Sequence, residues 1–111
     1  MTQLLDDLRA LDALLSDESK WTKGARARTA DGGVTWSTAD NACCWCLSGA
    51  LRHVTDAMYD DRHYAMVDAL DAACPSATLS YIEWQDKPSR RFADIKALIA
   101  RAIAAEEGRV K

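Results

Sequence analysis

The sequence predicts a mostly α (α+β) fold: one compact domain over residues 1–111, with four helices and a small β-hairpin or extended element. Three observations carry this. Apolar residues recur at helical spacing in four separate stretches. Between the first two lies a segment, residues 21–38, that breaks this period and carries the turn-forming Asp31-Gly32-Gly33. Finally, 111 residues with 49% hydrophobic and 28% charged content is the composition of a single globular domain. That length buries one core without needing a staple.

The first helix is expected from Gln3 to Leu15, where Leu4, Leu5, Leu8, Leu11, Leu14 and Leu15 form one stripe. Thr2 is placed to cap it, and Asp6 and Asp7 sit near the positive end of its dipole. From Trp21 to Thr38, alternation in Ala25-Arg26-Ala27-Arg28 and the β-propensity of Val34-Thr35-Trp36 suggest a short hairpin or ordered loop. A second helix is expected from Ala39 to Met58. On it Cys43, Cys46, Leu47, Gly49, Ala50, His53, Val54 and Ala57 share a face of small residues, with Trp45, Ser48 and Arg52 opposite. That face should let another helix approach across Gly49 and Ala50.

The third helix is expected over Asp61–Ala73, with Tyr64, Val67, Leu70 and Cys74 inward and Pro75 as its stop. Residues 77–86 are rich in β-branched and aromatic side chains, which suggests an extended segment. Lys87-Pro88-Ser89 is a turn, and Ser89 is placed to cap a last helix over Arg90–Glu107. Its stripe is Phe92, Ile95, Leu98, Ile99, Ala102 and Ile103. It should pack against the first helix and the Cys46-Gly49-Ala50 face.

Net charge is −3, which argues against phosphate as the main partner and disfavours a general nucleic-acid binder. The N-terminus lacks a basic region before an apolar run, and no apolar run approaches the ~18 residues of a membrane span. A cytoplasmic location with reduced thiols is therefore expected.

The densest chemistry is Cys43-Cys44-Trp45-Cys46. As a metal site, Cys43, Cys46 and Cys74, completed by His53 or His63, would be the ligands. The chain lacks a second closely spaced pair, and Cys46 and His53 stand roughly 10 Å apart along a helix. As a reactive thiol, Cys43 or Cys44 near the helix start would need a base; His53 is too far along that helix, which leaves His63 brought in by the fold, and Cys46 with His53 is the further catalytic alternative. The plainer reading makes the cysteines small core residues, with no cofactor and no catalytic residue. Lys20, Lys23, Arg26 and Arg28 interleave with Trp21 and Trp36, and Arg90-Arg91 adds a second basic spot. Here the expectation is a solvated hairpin face with both indoles packed inward. Trp45, on the polar side of its helix, is an interface candidate. Trp84 and Asp86 are either a binding site beside Cys46 or a structural corner.

The Trp45-Cys46-Leu47-Ser48-Gly49-Ala50-Leu51 helix, the Trp84-Gln85-Asp86-Lys87-Pro88 turn and the upstream Trp21-Thr22-Lys23-Gly24 together resemble a family of small proteins of unknown function from bacteria and their phages. Gln85 stands where that family shows Asn. The resemblance spans residues 21–105, implies one compact domain of bacterial or phage origin, and supplies no activity. With no catalytic motif, the expected function is a non-enzymatic protein-interaction module, an accessory factor or an inhibitor of a host protein. A basic, nucleic-acid-handling host protein would suit the acidic balance. The alternative is a small thiol- or metal-dependent enzyme or sensor built on Cys43–Cys46.

Overall fold

A computed structural model describes residues 2–56, 60–75 and 80–109. Helix α1 (Gln3–Leu14) starts at Thr2, whose hydroxyl accepts the Leu5 N–H at 3.0 Å. Leu5, Leu8, Leu11 and Leu15 are buried, as their spacing predicts. Each contributes on the order of 1.5–3 kcal/mol of burial. Helix α5 (Phe92–Arg109) lays Ile95, Leu98, Ile99 and Ala102 against them. The two helices run antiparallel: Lys96 pairs with Asp12 at one end, and the Thr2 hydroxyl donates to Glu106 at the other. The start of α5 differs from expectation. The N–H of Arg91, not a contact from Ser89, is held by the Asp94 carboxylate at 2.9 Å, the reach-back half of a capping box.

Helix α3 (Asp61–Ala73) completes the layer against α1 and α5. Asp60 caps it by accepting the His63 N–H. Its buried face is His63, Met66 and Leu70, whereas Tyr64, expected inward, is 54% exposed. Both sets have helical spacing, so the period alone cannot choose the rotation. Arg62 chooses it: its guanidinium makes two bonds, at 2.9 and 3.1 Å, to the buried Asp7 of α1. Arg101 of α5 donates to the carbonyl oxygen of Ala73 and so covers the C-terminal end of α3.

The segment between α1 and the middle of the chain forms a three-stranded antiparallel sheet. It consists of β1 (Ala27–Arg28), β2 (Val34–Thr35) and β3 (Cys44–Trp45), in the order β2-β1-β3. Ala27 stands opposite Thr35 and Trp45, and Arg28 opposite Val34 and Cys44. The predicted turn closes the β1–β2 hairpin: Gly32 takes φ +90°, and the Asp31 carboxylate accepts the Gly33 N–H.

The second helix is much shorter than expected. Helix α2 spans Leu47–Val54, while residues 39–42 make turns and Cys43–Trp45 are extended. Cysteine and asparagine are weak helix formers, and pairing with β1 decides the outcome. Ala57 and Met58 of the expected helix lie outside the described residues, as do Ala77–Leu79 of the expected extended segment. Tyr81–Gln85, also expected to be extended, is a short helix, α4, capped by Ser80. Local capping outweighs the β-propensity of its aromatic residues.

The partner across Gly49 is also not a helix. A Cβ at Gly49 would stand 1.9 Å from the carbonyl oxygen of Arg26, so this glycine admits the backbone leading into β1 against α2. Helix α5 packs on α1 and α3, and α2 packs on α1, α3, α4 and β3.

Candidate functional site

All four cysteines are free thiols, distributed over different roles. Cys43 is exposed before β3 and Cys44 is half-buried within it. Cys46 is buried and caps α2, its sulfur accepting the Gly49 N–H at 3.3 Å. Burial pushes the Cys46 thiol up, against the opposing pull of the N–H groups of Gly49 and Ser48. Cys74 is the C-cap of α3. His53 lies in the last turn of α2, at the opposite end from Cys46. Its Nδ1 bonds the carbonyl oxygen of Ser37 at 2.9 Å, and its ring lies 4.9 Å from that of Trp45. Among the described residues no three His, Cys, Asp or Glu side chains converge as metal ligands.

Trp45 does not face solvent from a helix. It is 7% exposed, its indole N–H donates to the Ser37 carbonyl oxygen at 2.8 Å, and it belongs to the core. Trp84 is 4% exposed, with the Arg90 guanidinium stacked 4.0 Å over its ring. Asp86 is exposed and accepts from the Gln85 amide at 2.6 Å. Tyr81, buried beside Ser48 and Cys46, has its hydroxyl pushed up to about 12 by burial.

Gln85 joins these pieces. Its Oε1 accepts the backbone N–H of Leu47 at 2.7 Å and the indole N–H of Trp21 at 3.2 Å. Nearby, the Lys23 ammonium donates to the carbonyl oxygens of Lys87 and Arg90 at 2.7 and 2.8 Å. The three sequence motifs thus meet in one corner, where the amide of Gln85 satisfies the orphan N–H of a helix start. Their polar groups are turned toward one another, which gives them a structural use.

The most exposed aromatic side chain among the described residues is elsewhere, at a position expected to face inward. Trp36 is 78% exposed, and Val34, two residues before it, is 71% exposed. They border a groove of about 370 Å³ lined by Arg26, Val34, Thr35, Trp36, Ser37 and Arg52. Arg26 and Arg52 are the charged residues among those that line it. The backbone behind it is fixed: the Trp36 carbonyl oxygen accepts from Ala39 N–H, and that of Ser37 accepts from Trp45 and His53. The alternation of β2 held the signal, since Thr35, opposite the buried Ala27, sends Val34 and Trp36 to the other face.

A larger hollow, about 520 Å³, lies between α3 and α5. It is lined mainly by alanines, with Asp68 and Glu106 balanced by Arg101 and Arg109. No helix among the described residues is long and apolar enough to cross a membrane.

No curated protein and no solved structure matches the chain. Residues 1–105 match the family of unknown function DUF6197, and the chain belongs to that family.

Proposed function

We propose that this family member is a non-enzymatic protein-interaction module whose contact surface is the Trp36 face. The observation that supports this is the exposure of Trp36 and Val34 side by side, next to a groove with two arginines. An indole held open to water by a fixed backbone is costly to keep unless it meets a partner, and tryptophan and arginine are the side chains that most often anchor interfaces. The groove is thus a better contact candidate than Trp45 or Trp84, whose rings lie in the core, or Asp86, which is held by Gln85.

An accessory role in a phage or mobile element, or inhibition of a host protein, follows from the resemblance to bacterial and phage sequences. A cytoplasmic setting agrees with four unpaired thiols. A basic partner was suggested by net charge, but charges interact over roughly 8 Å at physiological salt. Local charge therefore governs the contact, and beside Trp36 the exposed charged side chain of the groove is Arg26. The thiol- or metal-dependent alternative has less support, because Cys46 is spent as a buried helix cap and His53 stands at the far end of α2.

The test compares proteins cross-linked to the wild-type chain with those cross-linked to Trp36→Ala, identified by mass spectrometry. Loss of a specific partner from the variant is expected. Identical sets, with Trp36 protected from solvent in neither complex, would remove this reading.

A further inference from the structure

We infer that the occupant of the Trp36 face is a second copy of this chain, joined edge to edge along β2 as a weak two-fold dimer whose continuous sheet runs β3-β1-β2-β2-β1-β3. This rests on the reading of the Trp36 face as a contact surface and names what covers it. Three observations converge on it.

The first is the edge. In the order β2-β1-β3, the outer side of β3 is already used, because Trp45 bridges to Trp21 and its carbonyl oxygen accepts from Thr22. The sheet order leaves β2 as the other edge. Thr29 donates its N–H to the Gly33 carbonyl oxygen at 2.8 Å. By the alternation of an antiparallel ladder, Val34, opposite Arg28, then turns its own N–H and C=O away from β1. Edge strands are commonly guarded by lysine or proline. Residues 29–38 contain neither, and Asp31 is their one charged residue.

The second is self-complementarity. A two-fold axis at Val34 lets the two valines exchange N–H···O=C bonds, the closed pairing of one patch with its own copy. That register sets Trp36 of each copy opposite Gly32 of the other. Nothing stands within 4 Å of a Cβ built on Gly32, so the indole meets open space there. An aromatic ring laid over an edge glycine is a recurrent cross-strand pair. Val34 and Trp36 project from one face of the strand, so the two tryptophans and two valines form a single apolar row. Each indole reaches the other copy's valine along the diagonal. Asp31 lies beyond Gly32 at the turn, so the two aspartates are carried to opposite ends of the row.

The third is area. Trp36 and Val34 are both exposed in the single chain. An aromatic side chain buries about 150–250 Å². Two of them, with two valines and the paired backbone, bring the contact to about 1,000 Å², the least that a specific interface needs and the size of a reversible one. An extended peptide of another protein also adds to a strand edge. The second copy is favoured because symmetry gives it both the matching pair of backbone bonds and an apolar residue for each indole.

The experiment measures the mass of the full chain by sedimentation velocity, under reducing conditions because Cys43 is an exposed thiol. Dimerisation follows mass action, so a range of about 5 to 500 μM is covered. The wild type is expected to pass from monomer toward dimer as concentration rises. Val34→Lys sets like charges face to face on the axis, and Trp36→Ala removes the indole; each should raise the dissociation constant about tenfold or more. Both side chains are exposed, so both variants should keep the wild-type circular dichroism. A second measurement locates the contact. On dilution the backbone amide resonances of residues 32–36 are expected to shift, while those lining the hollow between α3 and α5 stay still. A chain that is monomeric throughout, a dimer indifferent to Val34→Lys, or dilution shifts confined to the α3–α5 hollow would overturn this inference. A monomer whose cross-links to another protein still depend on Trp36 would also overturn it, preserving the broader module reading and giving the edge to that protein.

Discussion

Replacing Gly49 with alanine is a stringent test of how the sheet is seated on α2. The added methyl would stand 1.9 Å from the carbonyl oxygen of Arg26, 2.6 Å from its carbon and 3.0 Å from its Cα. These are backbone atoms of the residue just before β1, with no rotamer in which to retreat. Ordinary contact begins near 3.4 Å, so strand and helix must part by about 1.5 Å. Overpacking of this kind costs about 1–3 kcal/mol. The same movement stretches the Cys46 N–H bond to that oxygen, already 3.2 Å long, at a loss of about 1 kcal/mol. Alanine returns about 1 kcal/mol of helix propensity over glycine. The net expectation is a loss of about 2 kcal/mol, read as a fall in melting temperature of about 8 °C at roughly 4 °C per kcal/mol for a chain of this size. Thermal melts followed by circular dichroism, with urea midpoints alongside, measure it. Gly108→Ala is the control: it lies in α5 with nothing within 4 Å of the new Cβ, so it should leave stability unchanged or raise it slightly. A Gly49→Ala protein that melts at or above the wild-type temperature would refute the close approach of the Arg26 backbone to α2.

Gln85→Leu keeps the volume of a buried side chain but orphans the Leu47 N–H and the Trp21 indole N–H; a loss of about 2–4 kcal/mol in urea unfolding is expected, and a loss under about 0.5 kcal/mol would show that the corner does not depend on the amide. Burial raises the Tyr81 pKa from about 10 unfolded to about 12 folded, so the folded state holds a proton that the unfolded state gives up; stability should fall as pH rises from 10 to 12, and Tyr81→Phe should flatten the pH dependence of the melting temperature in that window. With a disulfide reagent at neutral pH, Cys43 should react at the rate of an ordinary exposed thiol and Cys46 only as the chain unfolds; equal native rates for Cys43→Ser and Cys46→Ser proteins would contradict the burial of Cys46.

The helices whose apolar residues keep a strict 3.6-residue period were legible. Leu5, Leu8 and Leu11 in α1 and Ile95, Leu98, Ile99 and Ala102 in α5 are buried as their spacing demands. Even there, rotation about the axis was open in α3, because Tyr64 and His63 fit equally well until Arg62 finds Asp7. The Cys43–Trp45 stretch was misread for a related reason. Small residues continue the pattern of α2 backward through it, and nothing local says that Arg26 and Arg28 will take its backbone groups as a strand. Trp36 is expected inward because indoles usually are, whereas it follows Thr35, the cross-strand partner of the buried Ala27, and so takes the outer face. The Gln85 corner was suspected as a turn, but its use as a cap for α2 joins residues 38 positions apart, beyond any local signal.

That single amide oxygen also bears on the lifetime of the folded state. It ties together segments 64 and 38 residues apart in the chain, so its bonds can close only after the helices have drawn those segments near. Contacts completed after the folding barrier act on unfolding rather than folding. The corner should therefore work as a kinetic latch. Gln85→Leu is expected to steepen escape from the native state, raising the unfolding arm of the chevron while leaving the folding arm almost where it was, and a drop confined to the folding arm would place the latch inside the folding nucleus instead. The residues that look most like a recognition motif would then be those that govern how long the Trp36 face stays assembled.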